Sequence, residues 1–372
     1  MIKRSVMSLI QQKIHQGKVI VLYGARQVGK TTICKEILKE HPNSLYISCD
    51  DPATIAQIQD ISSSDAVRMF GVYDVVVIDE AQRVSNIWLS LKIMQEHLDT
   101  TQIIATWSSS FDLANNIQEP LTGRKYVFHI HPLSLSEMSD HLWWRQAQQD
   151  LESRVIMGMY PEIVVNDSVM DLRMVWESYL YQDILAHQDI RKPKSLQVLL
   201  QALALQIGQQ ISYNELAGLV WVDTHTIIKY IELLKQTFII FELWSYARNL
   251  RNELKKSKKI YFWDTGLRNV LIQNTNKKSL RNDRWHLREN FVIAERMKHL
   301  DNQQTRYQSY FWRTQTQQEI DYVESQWDQL AAYEIKRSIP KKYRHPKRFV
   351  QNYPEATLGL ISSNNIWDFV SL

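Results

Sequence analysis

Short apolar runs recur through the first 140 residues, at 18–23, 44–48, 74–78, 102–106 and 125–130, each closed by glycine or polar residues. Runs of this length, rich in Val and Ile, predict strands buried on both faces. Between them, segments such as 31–40 and 87–97 place apolar residues at helical spacing. Strand and helix in alternation predict an α/β fold, a parallel sheet with helices on both faces. This first domain is expected to span 1–140 and to end just after His131-Pro132-Leu133-Ser134.

From 141 the helical period dominates. Two short amphipathic runs, 197–207 and 213–219, precede a longer one, Val222 to Leu234, with Asp223 or Thr224 placed to cap it. Phe238-Ile-Ile-Phe-Glu-Leu243 then reads as a strand. Helix, short helix, longer helix and strand form a winged-helix pattern, expected within 141–268, whose last helix would expose Thr224, His225, Lys229 and Tyr230. Such a module serves DNA or a protein contact, and the pattern alone leaves both open. A third unit, 269–372, opens with a helical segment at 287–300. Strands are predicted at 307–313, 319–324 and 330–336, then a helix near 344–352 and a last strand at Leu358-Gly-Leu-Ile-Ser362.

Between the first strand and the first helix the chain reads Gly24-Ala25-Arg26-Gln27-Val28-Gly29-Lys30-Thr31. This is the G-x-x-x-x-G-K-[ST] pattern in the strand–loop–helix context that its chemistry requires. Glycines let backbone N–H groups close around phosphate oxygens, and the following helix adds its positive end. Lys30 would reach the β and γ phosphates, and Thr31 would hold Mg²⁺. Val75-Val76-Val77-Ile78-Asp79-Glu80 reads as a buried strand whose carboxylates meet solvent at its C-terminal end, the edge where ligands of open α/β sheets bind. There Asp79 would hold Mg²⁺ opposite Thr31, and Glu80 would orient or deprotonate the attacking water. The pair points to hydrolysis rather than binding alone.

The remaining composition narrows the setting. The 372 residues suggest two or three domains, and a 44% hydrophobic content supplies ordinary cores. No apolar run reaches membrane-spanning length, and Met1-Ile-Lys-Arg-Ser5 is not followed by a secretory apolar region. Cys34 and Cys49 form no disulfide framework, so a reducing cytoplasm is expected. A net charge of +4 is mild, but basic residues cluster. One cluster holds Arg248, Arg251, Lys255, Lys256, Lys258 and Lys259, the other Lys336, Arg337, Lys341, Lys342, Arg344, Lys347 and Arg348. Each suits either a polyanion such as DNA or a solvated face.

The third unit carries a second constellation. If the strands bearing Asp321 and Glu334 pair as a hairpin, the two carboxylates come side by side, with Lys336 on the same face as Glu334. Glu289 on the preceding helix would complete a metal site, and Lys336 would stabilise charge on a phosphodiester. The order of helix, strand with Asp, strand with Glu-x-Lys, helix and strand is that of the PD-(D/E)XK nuclease core. A scaffold that keeps the charged positions without cleavage fits the same pattern.

With these residues assembled, nearly the whole chain resembles the prokaryotic AAA-type ATPases that carry a C-terminal domain of unknown function. The matching segments are Gly24 to Thr32, Tyr46-Ile-Ser-Cys-Asp50, Ile78-Asp-Glu-Ala-Gln82, Ser108-Ser-Ser110, Glu119-Pro-Leu-Thr-Gly-Arg124 and His131-Pro-Leu-Ser134. In the second half they are Gly158-Met-Tyr-Pro-Glu162, Tyr179-Leu-Tyr-Gln-Asp-Ile184, Asp264-Thr-Gly-Leu267 and Glu289-Asn-Phe-Val292. The resemblance implies ATP and Mg²⁺ at the loop, with Ala25, Arg26, Gln27, Val28 and Thr32 completing it. It implies Ser108 or Ser109 as a polar sensor of the γ-phosphate, and Arg124 as an arginine finger in cis or on a neighbouring subunit. One position departs: where the family has glycine before the paired serines, this chain has Trp107, which predicts an altered sensor loop. The leading expectation is an ATP hydrolase coupled to a DNA-binding or nuclease-like module. A nucleotide-gated scaffold for a protein partner and a metal-dependent nuclease regulated by ATP are the other two readings.

Overall fold

The computed structural model describes residues 2–108, 121–179, 184, 190, 192–247, 257–305, 307–338 and 343–371. The chain forms two compact units, residues 3–132 with 236–238, and residues 133–235 with 239–371. Ser109, four residues of the first basic cluster (Arg248, Arg251, Lys255, Lys256), and Lys341 and Lys342 lie outside the described residues.

In the first unit, β1 (Val19–Tyr23), β2 (Ser44–Ser48), β3 (Val75–Asp79), β4 (Gln102–Trp107) and β5 (Lys125–His129) form a parallel sheet of order β2-β3-β4-β1-β5. All five strands lie where the apolar runs predict. Every residue of β1, β3 and β4 is buried, which is why these runs are continuous rather than alternating. Val76, Ile78, Ile103, Ala105 and Trp107 pack on Phe70, Trp88, Leu91 and Met94 from the helices Ser63–Phe70 and Ile87–His97. The helix Lys30–Glu40 lies along β2, β3 and β4 and buries Ile33, Cys34 and Ile37, one face at helical spacing.

The second unit is built on seven strands. They are β6 (Gln210–Ile211), β7 (Ile240–Ser245), β8 (Lys258–Phe262), β9 (Gln308–Arg313), β10 (Glu319–Gln326), β11 (Gln329–Ile335) and β12 (Thr357–Ile361), in the order β12-β11-β10-β9-β7-β8-β6. Phe241, Tyr261, Phe311, Tyr322 and Ile335 pack on Leu287, Phe291 and Val292 of the long helix Arg284–Asn302. Trp312, Ile320, Val323 and Ala332 form a separate core with Phe349 of the helix Lys347–Asn352. A boundary at 268 therefore falls inside one sheet: β7, from the expected helical domain, pairs in parallel with β9, from the expected third unit. The helix order 193–205, 213–220 and 224–236 follows the amphipathic pattern, and Asp223 caps the last helix by accepting the Thr226 N–H at 2.9 Å. His225 and Lys229 are exposed, but Tyr230 is only 5% exposed and belongs to the core, against expectation.

Trp107 is accommodated as a strand residue, while the sensor loop that it is expected to alter lies outside the described residues from Ser109 onward. It ends β4 with no positive φ, and its buried ring stacks on Trp88 at 4.6 Å and lies 5.5 Å from Tyr23. A strand residue needs no glycine, and the large ring fills the layer between sheet and helix. Truncation of Trp107 to Ala is expected to cost about 3–5 kcal/mol by leaving a cavity, read as a shift in the denaturant midpoint. A loss below about 1 kcal/mol would contradict this packing role.

Candidate functional site

The phosphate-loop pattern folds at the C-terminal edge of the first sheet. Gly24 follows β1 and packs so closely that a Cβ there would lie 2.0 Å from the Ile130 carbonyl oxygen. Gly29 has φ +100° and starts the helix Lys30–Glu40, a conformation that favours glycine. Ala25 and Val28 are buried, Arg26 is partly buried, and Gln27 and Thr32 are exposed. Lys30 donates to the carbonyls of Gly24 and Ala25, both at 2.8 Å, so its ammonium is held over the loop.

Asp79 ends β3 and gathers the neighbouring segments. Its Oδ2 accepts from Thr31 Oγ1 at 2.9 Å and from the Tyr46 hydroxyl, and its Oδ1 accepts from Thr106 Oγ1. Burial and this bond to Asp79 push the Tyr46 phenol up, so it stays a neutral donor. Glu80 turns out of the strand with φ +54°, held by its N–H donating to Thr106 Oγ1 at 3.0 Å. Such a left-handed non-glycine residue is strained, and strain of this kind concentrates at active sites. Ser108 donates to Glu80 Oε2 at 3.2 Å, and Gln82 Nε2 donates to Ser108 Oγ at 2.8 Å and also to Glu80 Oε2. The structure thus brings Thr31, Asp79, Glu80 and Ser108 together beside the loop, as the motifs imply. The donor set of loop amides, Lys30, Thr31 and Asp79 fits a nucleotide phosphate with Mg²⁺.

Arg124 corrects the expectation of a finger in cis. It immediately precedes β5, its carbonyl accepts the Val19 N–H at 3.0 Å, and its guanidinium pairs with Glu96. That is the N-terminal edge of the sheet. The loop lies at the other end of β1, about 16 Å away at the rise of a strand.

Other residues of the site carry no motif signal. Buried Arg4 donates to the Val28 carbonyl at 2.5 Å and the His131 carbonyl at 2.7 Å, bracing the loop from behind. Tyr46 sits inside a matching segment, yet only the pairing of β2 with β3 reveals its bond to Asp79.

In the second unit the hairpin of β10 and β11 forms as expected, with Tyr322 opposite Tyr333, so Asp321 and Glu334 are neighbours across it. Asp321 Oδ2 accepts the Ile335 N–H at 2.8 Å, and Lys336 Nζ lies 2.6 Å from Glu334 Oε2. Burial, then the charges of Glu289 and Glu334, push the Asp321 carboxyl up to about 7. Burial opposes the charge on Lys336, but its bond to Glu334 and the charges of Asp321, Glu334 and Glu289 together outweigh it and the pKa rises. The carboxylates of Glu289, Asp321 and Glu334 do not all come within 4.8 Å of one another. Lys259 approaches Glu289 at 3.3 Å and pairs with Glu319, and the Tyr261 hydroxyl donates to Glu289 at 2.7 Å. Oε1 of Glu289 therefore already accepts from two protein donors, where the pattern predicts a metal ligand.

The basic clusters also change in meaning. Lys258 is spent on Tyr213 and Glu242, and Lys259 is buried among carboxylates. Arg337, Arg344, Lys347 and Arg348 are exposed. The segments Gly158–Glu162 and Asp264–Leu267 meet in a structural clasp, where Asp264 accepts from Met159 at 2.7 Å and Leu267 at 3.0 Å. Among the described residues no helix is long and apolar enough to cross a membrane.

Comparison with known proteins agrees with the first unit. Residues 16–139 match a family model described as "AAA domain". Residues 148–278 and 286–366 match two models each described as a "Domain of unknown function". An uncharacterized protein of Mycobacterium tuberculosis is 25% identical over 373 residues, covering 96% of this chain and 79% of that protein. One of Methanocaldococcus jannaschii is 25% identical over 305 residues, covering 68% and 62%. Among solved structures, the Walker-type ATPase of Pyrococcus abyssi is similar with a TM-score of 0.51 at 15% identity, covering 73% of this chain and 96% of that one. This likeness concerns the fold. Together these matches support an AAA domain in residues 16–139, whose parallel sheet flanked by helices resembles that of a Walker-type ATPase.

The raised Asp321 carboxyl makes stability depend on pH. Between the ordinary carboxylate pKa of about 4 and the folded value of about 7, the folded chain binds more protons than the unfolded one. Its contribution therefore becomes unfavourable as pH rises through this window and levels off above it. Asp321→Asn keeps the acceptor for Ile335 and cannot ionise. Relative to wild type, the variant is expected to gain melting temperature from pH 5 to pH 8, and a constant difference would contradict the assignment.

Proposed function

We propose that the first unit binds ATP with Mg²⁺ and hydrolyses it. The observation that carries this reading is the contact of Thr31 with Asp79 at 2.9 Å, which joins the phosphate loop to the end of β3, with Glu80 and Ser108 adjoining it. Backbone N–H groups of Gly24 to Thr31 would hold the phosphates, and Lys30 would exchange its two loop carbonyls for phosphate oxygens. Thr31 and Asp79 would hold Mg²⁺, which when bound neutralises phosphate charge. Glu80 would take the proton of the attacking water, and Ser108 would contact the γ-phosphate.

In the described state Glu80 is engaged by Ser108 and Gln82. A γ-phosphate that draws Ser108 away, and with it the Gln82 amide bonded to Ser108, would release the carboxylate toward water, so that phosphate binding and base activation coincide. We assign no cleavage chemistry to the second unit. Its part in the proposal is to respond to the nucleotide state, with DNA or a protein as the partner. The exposed Arg337, Arg344, Lys347 and Arg348 support the first of these.

Lys30→Ala is expected to abolish nucleotide binding measured by calorimetry. Glu80→Gln should bind ATP as wild type does and lose turnover by about 10²–10⁴-fold, the usual weight of a positioned base. Wild-type turnover in Glu80→Gln would refute the assignment. Arg124→Ala at dilute protein should keep the wild-type rate, because the residue stands at the far edge of its own sheet. If turnover and nucleotide response are unchanged by DNA at low salt, DNA is not the partner.

A further inference from the structure

We propose that Lys259 stands where a divalent cation would stand on Glu289, so that the acidic cluster of the second unit is closed by its own cations and holds no metal there. Lys259 comes from β8, outside the hairpin that carries the Asp and Glu-x-Lys positions, and its side chain is 3% exposed. Its Nζ passes the Phe311 ring at 5.4 Å, lies 3.3 Å from Glu289 Oε1 and pairs with Glu319 Oε1. The same Glu289 oxygen also accepts from the Tyr261 hydroxyl at 2.7 Å.

On the other side, Lys336 takes Glu334 at 2.6 Å and the Ile335 N–H takes Asp321. Arg313 neutralises the second oxygen of Glu319 at 3.2 Å. The carboxylates of Glu289, Glu319, Asp321 and Glu334 therefore meet the cations Lys259, Arg313 and Lys336.

A metal centre needs carboxylate oxygens aimed at one point, with the positive charge left for the ion. Here Oε1 of Glu289 already faces an ammonium. A divalent ion bound to it would stand a few ångströms from that ammonium in a site with little water, where like charges repel strongly. Lys259 is only 2% exposed, and its ammonium is enclosed with Glu289 and Glu319 beside the Phe311 ring. A buried cation matched to buried carboxylates holds elements together, and removing it leaves charge that must find another partner. The sheet gains a polar pin that joins β8, β10 and the helix Arg284–Asn302.

The test is Mn²⁺ titration of the full chain without nucleotide, followed by calorimetry and electron paramagnetic resonance, in an Asp79→Asn background that silences the phosphate-loop metal site. Adding Glu289→Gln should leave Mn²⁺ affinity within twofold. Adding Lys259→Met instead should tighten it at least tenfold, and Glu289→Gln in that chain should reverse the gain. Mn²⁺ binding in the background that weakens tenfold or more with Glu289→Gln would overturn the proposal. So would a folded Lys259→Met chain with no gain. Should Lys259→Met fail to fold, the comparison with and without Glu289→Gln decides by itself.

Discussion

The carboxylate of Asp79 is the constraint on which the first unit turns. Thr31 from the first turn of the helix Lys30–Glu40, Tyr46 from β2 and Thr106 from β4 all donate to it. Four segments far apart in sequence are tied at one point on the C-terminal edge of the sheet. Since the strands of this sheet run parallel, each delivers its last residue to the same edge, and one anion can organise them. Buried carboxylates need such donors to remain in the fold at all. The same bonds hold Asp79 ready for an ion and place Glu80 just outside the strand.

The second unit solves a comparable problem in the opposite way. Its carboxylates are buried under the helix Arg284–Asn302, yet lysines from the sheet rather than hydroxyl donors do most of the compensating. Hydroxyls leave an anion's charge available to a ligand, whereas ammonium groups cancel it. That contrast separates a site prepared for a cation from one already supplied with its own. The parallel pairing of β7 with β9 matters here, because it carries Lys259 and Tyr261 into the sheet that holds Asp321 and Glu334.

Much of this was legible in the sequence, for physical reasons. Strands buried on both faces leave continuous apolar runs, so β1, β3 and β4 declare themselves. The phosphate loop is local in sequence, and so is its signal. Pairing partners are not local: Arg4 reaches Val28 and His131 across 24 and 127 positions, and no period encodes that. Lys258 and Lys259 read as part of a charge run suited to a polyanion or to solvent, because a basic residue beside others gives no sign of a buried carboxylate partner. Arg124 was within reach of the sequence, since a residue that opens a strand parallel to β1 must sit at the edge away from the loop. Trp107 misled because glycine at that place in the family pattern suggests a special conformation. In this chain the position is simply the last residue of β4.

The central claim is that Thr31 and Asp79 act as one Mg²⁺ site. It is tested most directly by calorimetry of a non-hydrolysable ATP analogue, with and without Mg²⁺, on Thr31→Ala, Asp79→Asn and the double variant. Each single change is expected to remove the tightening by Mg²⁺, and the double variant to lose no more than either, a coupling of the size found for residues sharing one contact, about 0.5–3 kcal/mol. Losses that simply add, or singles that keep the full Mg²⁺ effect, would contradict it.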